Sequence, residues 1–150
     1  MDFSGDHNHY FPTKTVMTAM CHAFPELLSS YGSHQQTLNK KLSRFLDCNH
    51  THIHLLHGVS QVFPTLRKLF EGRTVAIPSP TLAEYSRIFP DAITYSDSPG
   101  ISDADLEHLP EEADVVVIVN PNTPTGTTLS SAGLYSLAQR NPNTTFLVDE

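Results

Sequence analysis

A chain of 150 residues, 39% of them hydrophobic, is long enough for one domain with a buried core. Its formal charge of -7 argues against a nucleic-acid surface, which needs clustered lysine and arginine, although a single phosphate can still be held by a helix N-terminus and a few N–H groups. Cys21 and Cys48 lack CxxC spacing and read as reduced thiols of a cytoplasmic protein, with one disulfide as the alternative; no apolar run approaches the roughly 20 residues that span a bilayer, and the opening MDFSGDHNHYF lacks the basic and apolar regions of a signal peptide.

Residues 1–13 are polar and aromatic and read as an arm. Residues 15–24 place Val16, Met17, Ala19, Met20, Ala23 and Phe24 at helical spacing, and Pro25 is expected to end or kink that helix. Ser33 is positioned to cap a second helix with Leu38, Leu42, Phe45 and Leu46 on one face. The period then changes. A short strand is expected over 53–56, a helix over 59–70 opened by Gly58 and Ser60, and a strand over 74–77. A helix over 82–89 closed by Pro90, a short strand over 93–95 and a helical turn over 103–109 follow. Residues 115–119 form an unbroken β-branched run, as in a strand buried on both faces. A helix over 130–140 and a strand over 145–148 come next. This alternation predicts an α/β fold with a mainly parallel sheet and flanking helices over 51–150, preceded by an arm and helices over 1–50. Such sheets bind ligands outside the carboxyl ends of their strands, where Gly58–Ser60, Asn120–Gly126 and Asp149 all fall.

The most specific segment is Asn120-Pro121-Asn122-Thr123-Pro124-Thr125-Gly126. Two prolines fix two φ angles and Gly126 permits a turn that a larger residue would strain, so the side chains between them are held ready to donate to a ligand. Asp149 ends an apolar strand, a place where a lone aspartate ordinarily caps a turn. His57-Gly58-Val59-Ser60-Gln61 lets a backbone approach closely before a helix, or is a plain N-cap. Pro80-Thr81-Leu82-Ala83-Glu84-Tyr85 opens a small amphipathic helix. His50, His52 and His54 would share one face of a strand, with His57 nearby. Without cysteine or carboxylate ligands at constrained spacing they read as a polar strand face, and no metal is expected. A dinucleotide module would need GxGxxG after the first strand, which HGVSQV does not supply.

The stretch from Asp114 to Glu150, the glycine-led HGVSQ loop and the PTLAEY segment together resemble the core of fold-type I enzymes of pyridoxal 5′-phosphate (PLP), in particular class I/II aminotransferases. The resemblance implies that Asp149 partners the pyridine nitrogen. It implies that Gly58, Val59 and Ser60 hold the phosphate and that Leu82 or Tyr85 covers the ring. Asn122 or Thr123 would meet the phenolic oxygen, since Thr123 stands where relatives carry asparagine before Pro-Thr-Gly. Tyr31, beside Gly32, would reach the cofactor of the partner subunit in a homodimer, and the arm with Asp6, His7, Asn8 and Tyr10 would cover the substrate. Substrates would be a small-molecule amino donor and a keto acceptor, in the histidinol-phosphate aminotransferase branch, with threonine-phosphate decarboxylase chemistry or a non-catalytic interaction role as alternatives. The family's Schiff-base lysine follows the Asp149-like strand, whereas Lys14, Lys40, Lys41 and Lys68 all precede it. The expectation is therefore a fragment, inactive alone: residues 1–50 from the small domain and dimer arm, residues 51–150 from an incomplete large domain. In the family order 3-2-4-5-6-7-1, the strand over 53–56 would lack its neighbour and the strand over 145–148 would be a hydrophobic edge.

Overall fold

The computed structural model describes residues 8, 10–97, 109–110 and 112–150. The helical turn expected over 103–109 falls outside them except at Leu109, as does most of the arm, including Asp6 and His7. The chain divides into two compact units between Leu55 and Leu56.

The first unit contains helices α1 (Lys14–Ser29) and α2 (Gln35–Leu46). Thr13 caps α1, its side chain accepting from the Val16 N–H. Pro25, expected to end or kink this helix, does not end it. Proline removes only its own N–H, and the turn beyond it is closed by the Ser29 and Ser30 hydroxyls, both donating to the Glu26 carbonyl. Nor does Ser33 cap α2: His34 holds that position and receives the Thr37 and Leu38 N–H groups on its backbone carbonyl. Of the expected apolar face, Leu38 and Leu42 are half-buried while Phe45 and Leu46 are exposed. Residues 53–56 form no strand. A strand is a property of a pair, and no neighbour pairs with this one among the described residues; the Ile53 carbonyl instead accepts from Asn39 Nδ2 at 2.7 Å. His50–His52 is a 3-10 turn capped by Asn49, so the three histidines share no strand face.

The second unit is a parallel sheet of β1 (Val75–Ser79), β2 (Ile93–Ser96), β3 (Val115–Val119) and β4 (Thr145–Asp149), in the order β2-β1-β3-β4. Helix α3 (Val62–Leu69) follows a 3-10 turn at Val59–Gln61; α4 (Ala83–Ile88) lies between β1 and β2, and α5 (Ser131–Arg140) between β3 and β4. Residues alternate across the sheet as strand geometry requires. Val75, Ile77, Val115 and Val117 meet Phe63, Leu66, Phe70, Tyr85, Ile88 and Phe89 on one face. Ala76, Val116 and Ile118 meet Tyr95, Ala113, Leu129 and Leu137 on the other. Strand β3 is covered on both sides, which is why it is apolar at every position; each such buried valine contributes on the order of 1.5–3 kcal/mol. β4 pairs with β3 alone, and its side chains are half-buried or exposed.

The amino ends of the strands are tied by Arg73 and Asp114. The Arg73 guanidinium donates to the Asp114 carbonyl at 2.9 Å and to Thr145 Oγ1 at 3.2 Å, and the Asp114 carboxylate accepts from the Thr74 N–H at 2.8 Å. Fixing one end of the sheet leaves the carboxyl end for the site. No helix among the described residues is long and apolar enough to cross a membrane.

Candidate functional site

The carboxyl ends of β1, β2, β3 and β4 carry one continuous set of polar contacts. Asn120, just past β3, uses its side chain as a strand neighbour would. Its Oδ1 accepts from the Leu129 N–H at 2.8 Å and its Nδ2 donates to the Leu129 carbonyl at 3.1 Å, closing the base of the loop. The Asn120 N–H donates to the Asp149 carbonyl at 2.8 Å, which fixes the loop against the end of β4. Inside the loop, the Gly126 N–H donates to the Asn122 carbonyl at 2.7 Å and the Asn122 N–H to Thr127 at 2.9 Å. Gly126 sits at φ +72°, a left-handed conformation that side chains with a Cβ adopt at a cost.

Asn122 is 4% exposed, and its amide is fully engaged within the protein. Its Oδ1 accepts from Thr81 Oγ1 at 2.9 Å, while Nδ2 donates to the Pro80 carbonyl at 2.8 Å and to the carboxylate of Asp97. Thr125 Oγ1 donates to the same oxygen of Asp97. Asp97 is 1% exposed and was not legible as a site residue, although it lies at the carboxyl end of a strand, as Asp149 does. Its contacts join the loops after β1, β2 and β3. Thr123, next to Asn122, is exposed.

Asp149 is half-buried, and its Oδ2 accepts from the Tyr85 hydroxyl at 2.8 Å. Its Oδ1 has no partner among the described residues. The Tyr85 ring is enclosed, 2% exposed, and stands edge-on to Phe63 at 5.7 Å between centroids. Tyr85 therefore reaches the site through its hydroxyl and offers no ring face to a ligand. Burial pushes that phenol well above its ordinary range, and the hydrogen bond to Asp149 and its charge push it the same way. Tyr95 is raised too, first by burial and then by the charge of Asp97, and its hydroxyl donates to the Val117 carbonyl at 2.6 Å. Both phenols keep their protons and act as donors. Leu82, at the start of α4, is half-buried against the core.

Gly58, Val59 and Ser60 form an exposed turn ahead of α3, with Gly58 at φ +90°. The His57 N–H is taken by Gln61 Oε1 at 2.9 Å, whereas the N–H groups of Val59 and Ser60 and the Ser60 hydroxyl have no partner among the described residues. Tyr31 belongs to the other compact unit and is fully exposed.

Among the described residues, the glycine turn leaves N–H groups without partners, and the carboxyl end of a parallel α/β sheet carries a strand-end carboxylate with one open oxygen beside the Asn-Pro loop. The chain belongs to the aminotransferase class I and II family, whose model matches residues 1–150. Enzymes of this family depend on PLP.

Similarity extends to a threonine-phosphate decarboxylase of a Sinorhizobium species, 39% identical over 95 residues, covering 62% of this chain and 27% of that protein. An uncharacterised protein, y4rO, of Sinorhizobium fredii is 31% identical over 126 residues, covering 79% of this chain and 20% of that one. Among solved structures, L-threonine-O-3-phosphate decarboxylase from Porphyromonas gingivalis superimposes with a TM-score of 0.77 at 20% identity, covering 89% of this chain and 43% of that one. Histidinol-phosphate aminotransferase from Clostridium acetobutylicum gives 0.69 at 19% identity, with coverage of 89% and 43%. The chain thus spans less than half the length of each.

The residues present fit the family's cofactor. Asp149 keeps one carboxylate oxygen open for a protonated ring nitrogen, and the Val59–Ser60 turn keeps donors open for a phosphate.

Proposed function

We propose that this chain supplies the phosphate- and ring-nitrogen-binding side of a PLP site, in a protein that transfers the amino group of an amino acid or amino-phosphate compound to a keto acid. The observation that carries this reading is Asp149, bonded on one oxygen and open on the other, beside the Asn120–Gly126 loop.

When bound, the cofactor's protonated ring is an electron sink for charge developing at the substrate Cα. Asp149 keeps the proton on the ring nitrogen, because a half-buried carboxylate favours a cationic partner. The Val59 and Ser60 N–H groups and the Ser60 hydroxyl hold the phosphate, and Gly58 lets the backbone come close. Leu82 covers the ring by apolar contact. The Asn122 amide is occupied by Thr81, Pro80 and Asp97, so the exposed hydroxyl of Thr123 is the group we assign to the phenolic oxygen. In a homodimer, Tyr31 would serve the partner subunit's cofactor. We assign covalent attachment of the cofactor to none of the four lysines of this chain.

A second reading, decarboxylation of an amino-acid phosphate, is favoured by the 39% identity to a threonine-phosphate decarboxylase. Both readings use the same residues and differ in which bond at Cα breaks, C–H or C–COO⁻. Product analysis of the full-length protein, with the Schiff-base lysine included, in the presence of PLP and L-threonine phosphate, or of an amino donor and a keto acid, separates them: keto-acid exchange supports transamination, and carbon dioxide release supports decarboxylation. In the full-length protein, Asp149→Ala should abolish either activity while leaving the fold intact; activity within about tenfold of the full-length parent, roughly 1.4 kcal/mol in barrier, would overturn the assignment.

A further inference from the structure

We propose that Tyr85 is a positioning residue for Asp149: its hydroxyl, fixed by the core, holds one carboxylate oxygen so that the other is presented to a ring nitrogen. The proposal rests on the cofactor reading above and deepens it. The resemblance of PTLAEY implies ring cover by Leu82 or Tyr85; the geometry gives Tyr85 a different task.

Three observations converge on this. The Tyr85 ring sits in the core between α3, α4 and the sheet, so its hydroxyl has its place set by packing and not by solvent. That hydroxyl donates to Asp149 Oδ2 across 64 residues of sequence, at 2.8 Å. The Asp149 backbone is held independently, its carbonyl receiving the Asn120 N–H. With its backbone and one oxygen fixed, the carboxylate has a single orientation and one open oxygen. Burial, first, and then Asp149 itself raise the phenol's pKa, which keeps it a donor at neutral pH. Tyr95 marks the contrast: also buried, its hydroxyl donates to a backbone carbonyl instead of a carboxylate.

The test compares PLP with an analogue in which C–H replaces the ring nitrogen, each titrated to equilibrium with the parent protein and with Tyr85→Phe. Removing the hydroxyl should weaken PLP about fivefold, the net weight of one hydrogen bond, and leave the analogue unchanged. In the Asp149→Ala background, Tyr85→Phe should add no further loss. An equal loss for both ligands would show that Tyr85 is only structural, and no loss for either would remove it from the site; each overturns the proposal. If Asp149→Ala itself fails to weaken PLP more than the analogue, the cofactor reading has failed, and Tyr85 falls with it. A second measurement uses no variant and stays decisive if Tyr85→Phe does not fold. The Tyr85 hydroxyl proton, followed by NMR in the parent, should shift on addition of PLP and stay in place with the analogue; a shift that is the same with both, or absent with both, overturns the proposal.

Discussion

Replacing Asn122 by alanine should destabilise the protein by about 3–5 kcal/mol, even though Asn122 lies in a loop. The amide makes three hydrogen bonds at a site that is 4% exposed. Two have neutral partners, Thr81 and Pro80, and are each worth about 0.5–1.5 kcal/mol net; the third, to the Asp97 carboxylate, is worth about 1.5–3 kcal/mol. The sum spans about 2.5–6 kcal/mol. The Pro80 residue is exposed and its carbonyl can be rehydrated, which trims the upper end, while Asp97 at 1% exposure cannot be. Against a total stability of about 5–15 kcal/mol this is a large fraction. Urea unfolding of the parent and the variant would measure it as a shift in midpoint at constant slope. Thr123→Ala, one residue on and exposed, is the control and should change stability by no more than about 0.5 kcal/mol. A loss below about 1 kcal/mol for Asn122→Ala, or equal losses for the two variants, would refute the view that Asn122 anchors the loop and leaves Thr123 to the ligand.

Ser60→Ala should weaken PLP binding by about 1.5–3 kcal/mol in an equilibrium titration, the weight of a hydrogen bond to a charged group, and should leave the unfolding midpoint unchanged because the hydroxyl is exposed. Gly126→Ala should cost about 1–2 kcal/mol by thermal or urea unfolding: nothing lies within 4 Å of the added Cβ, so the whole cost is the left-handed φ of +72°. The raised phenols of Tyr85 and Tyr95 link stability to alkaline pH. Their folded pKa values lie above the unfolded value of about 10, so the folded state keeps protons that the unfolded state releases. Their contribution is whole below pH ~10 and is lost as pH rises toward the folded values. In an ultraviolet titration, two of the five tyrosines should ionise only as ellipticity is lost; ionisation of all five before unfolding would contradict the hydrogen bonds assigned to them.

The parts of the fold that a single strand or helix decides were legible in the sequence. Val115–Val119 announces a doubly covered strand because every side chain must be apolar, and the alternation of strands and helices implies the parallel sheet. What depends on a partner was not legible. Residues 53–56 have the composition of a strand but no neighbour to pair with among the described residues, and Pro25 reads as a helix end or kink while the closure of the turn beyond it by Ser29 and Ser30 is not visible in its own residue type. The site divides in the same way. Its glycines, prolines and strand-end Asp149 stand out because each constrains its own backbone or position. Which way Asn122 turns depends on Pro80 and Asp97, 42 and 25 residues away, and the task of Tyr85 depends on Asp149. Asp97 went unnoticed for the same reason, since a carboxylate after a short strand reads as a turn until Asn122 and Thr125 are seen to converge on it.

The most direct test of the central claim is a crystal structure of the protein grown with PLP. The ring nitrogen should lie about 3 Å from Asp149 Oδ1, the phosphate on the Val59 and Ser60 N–H groups, and the Tyr85 hydroxyl should remain on Oδ2. Cofactor density elsewhere on the sheet, or a ring nitrogen facing any group other than Asp149, would contradict it.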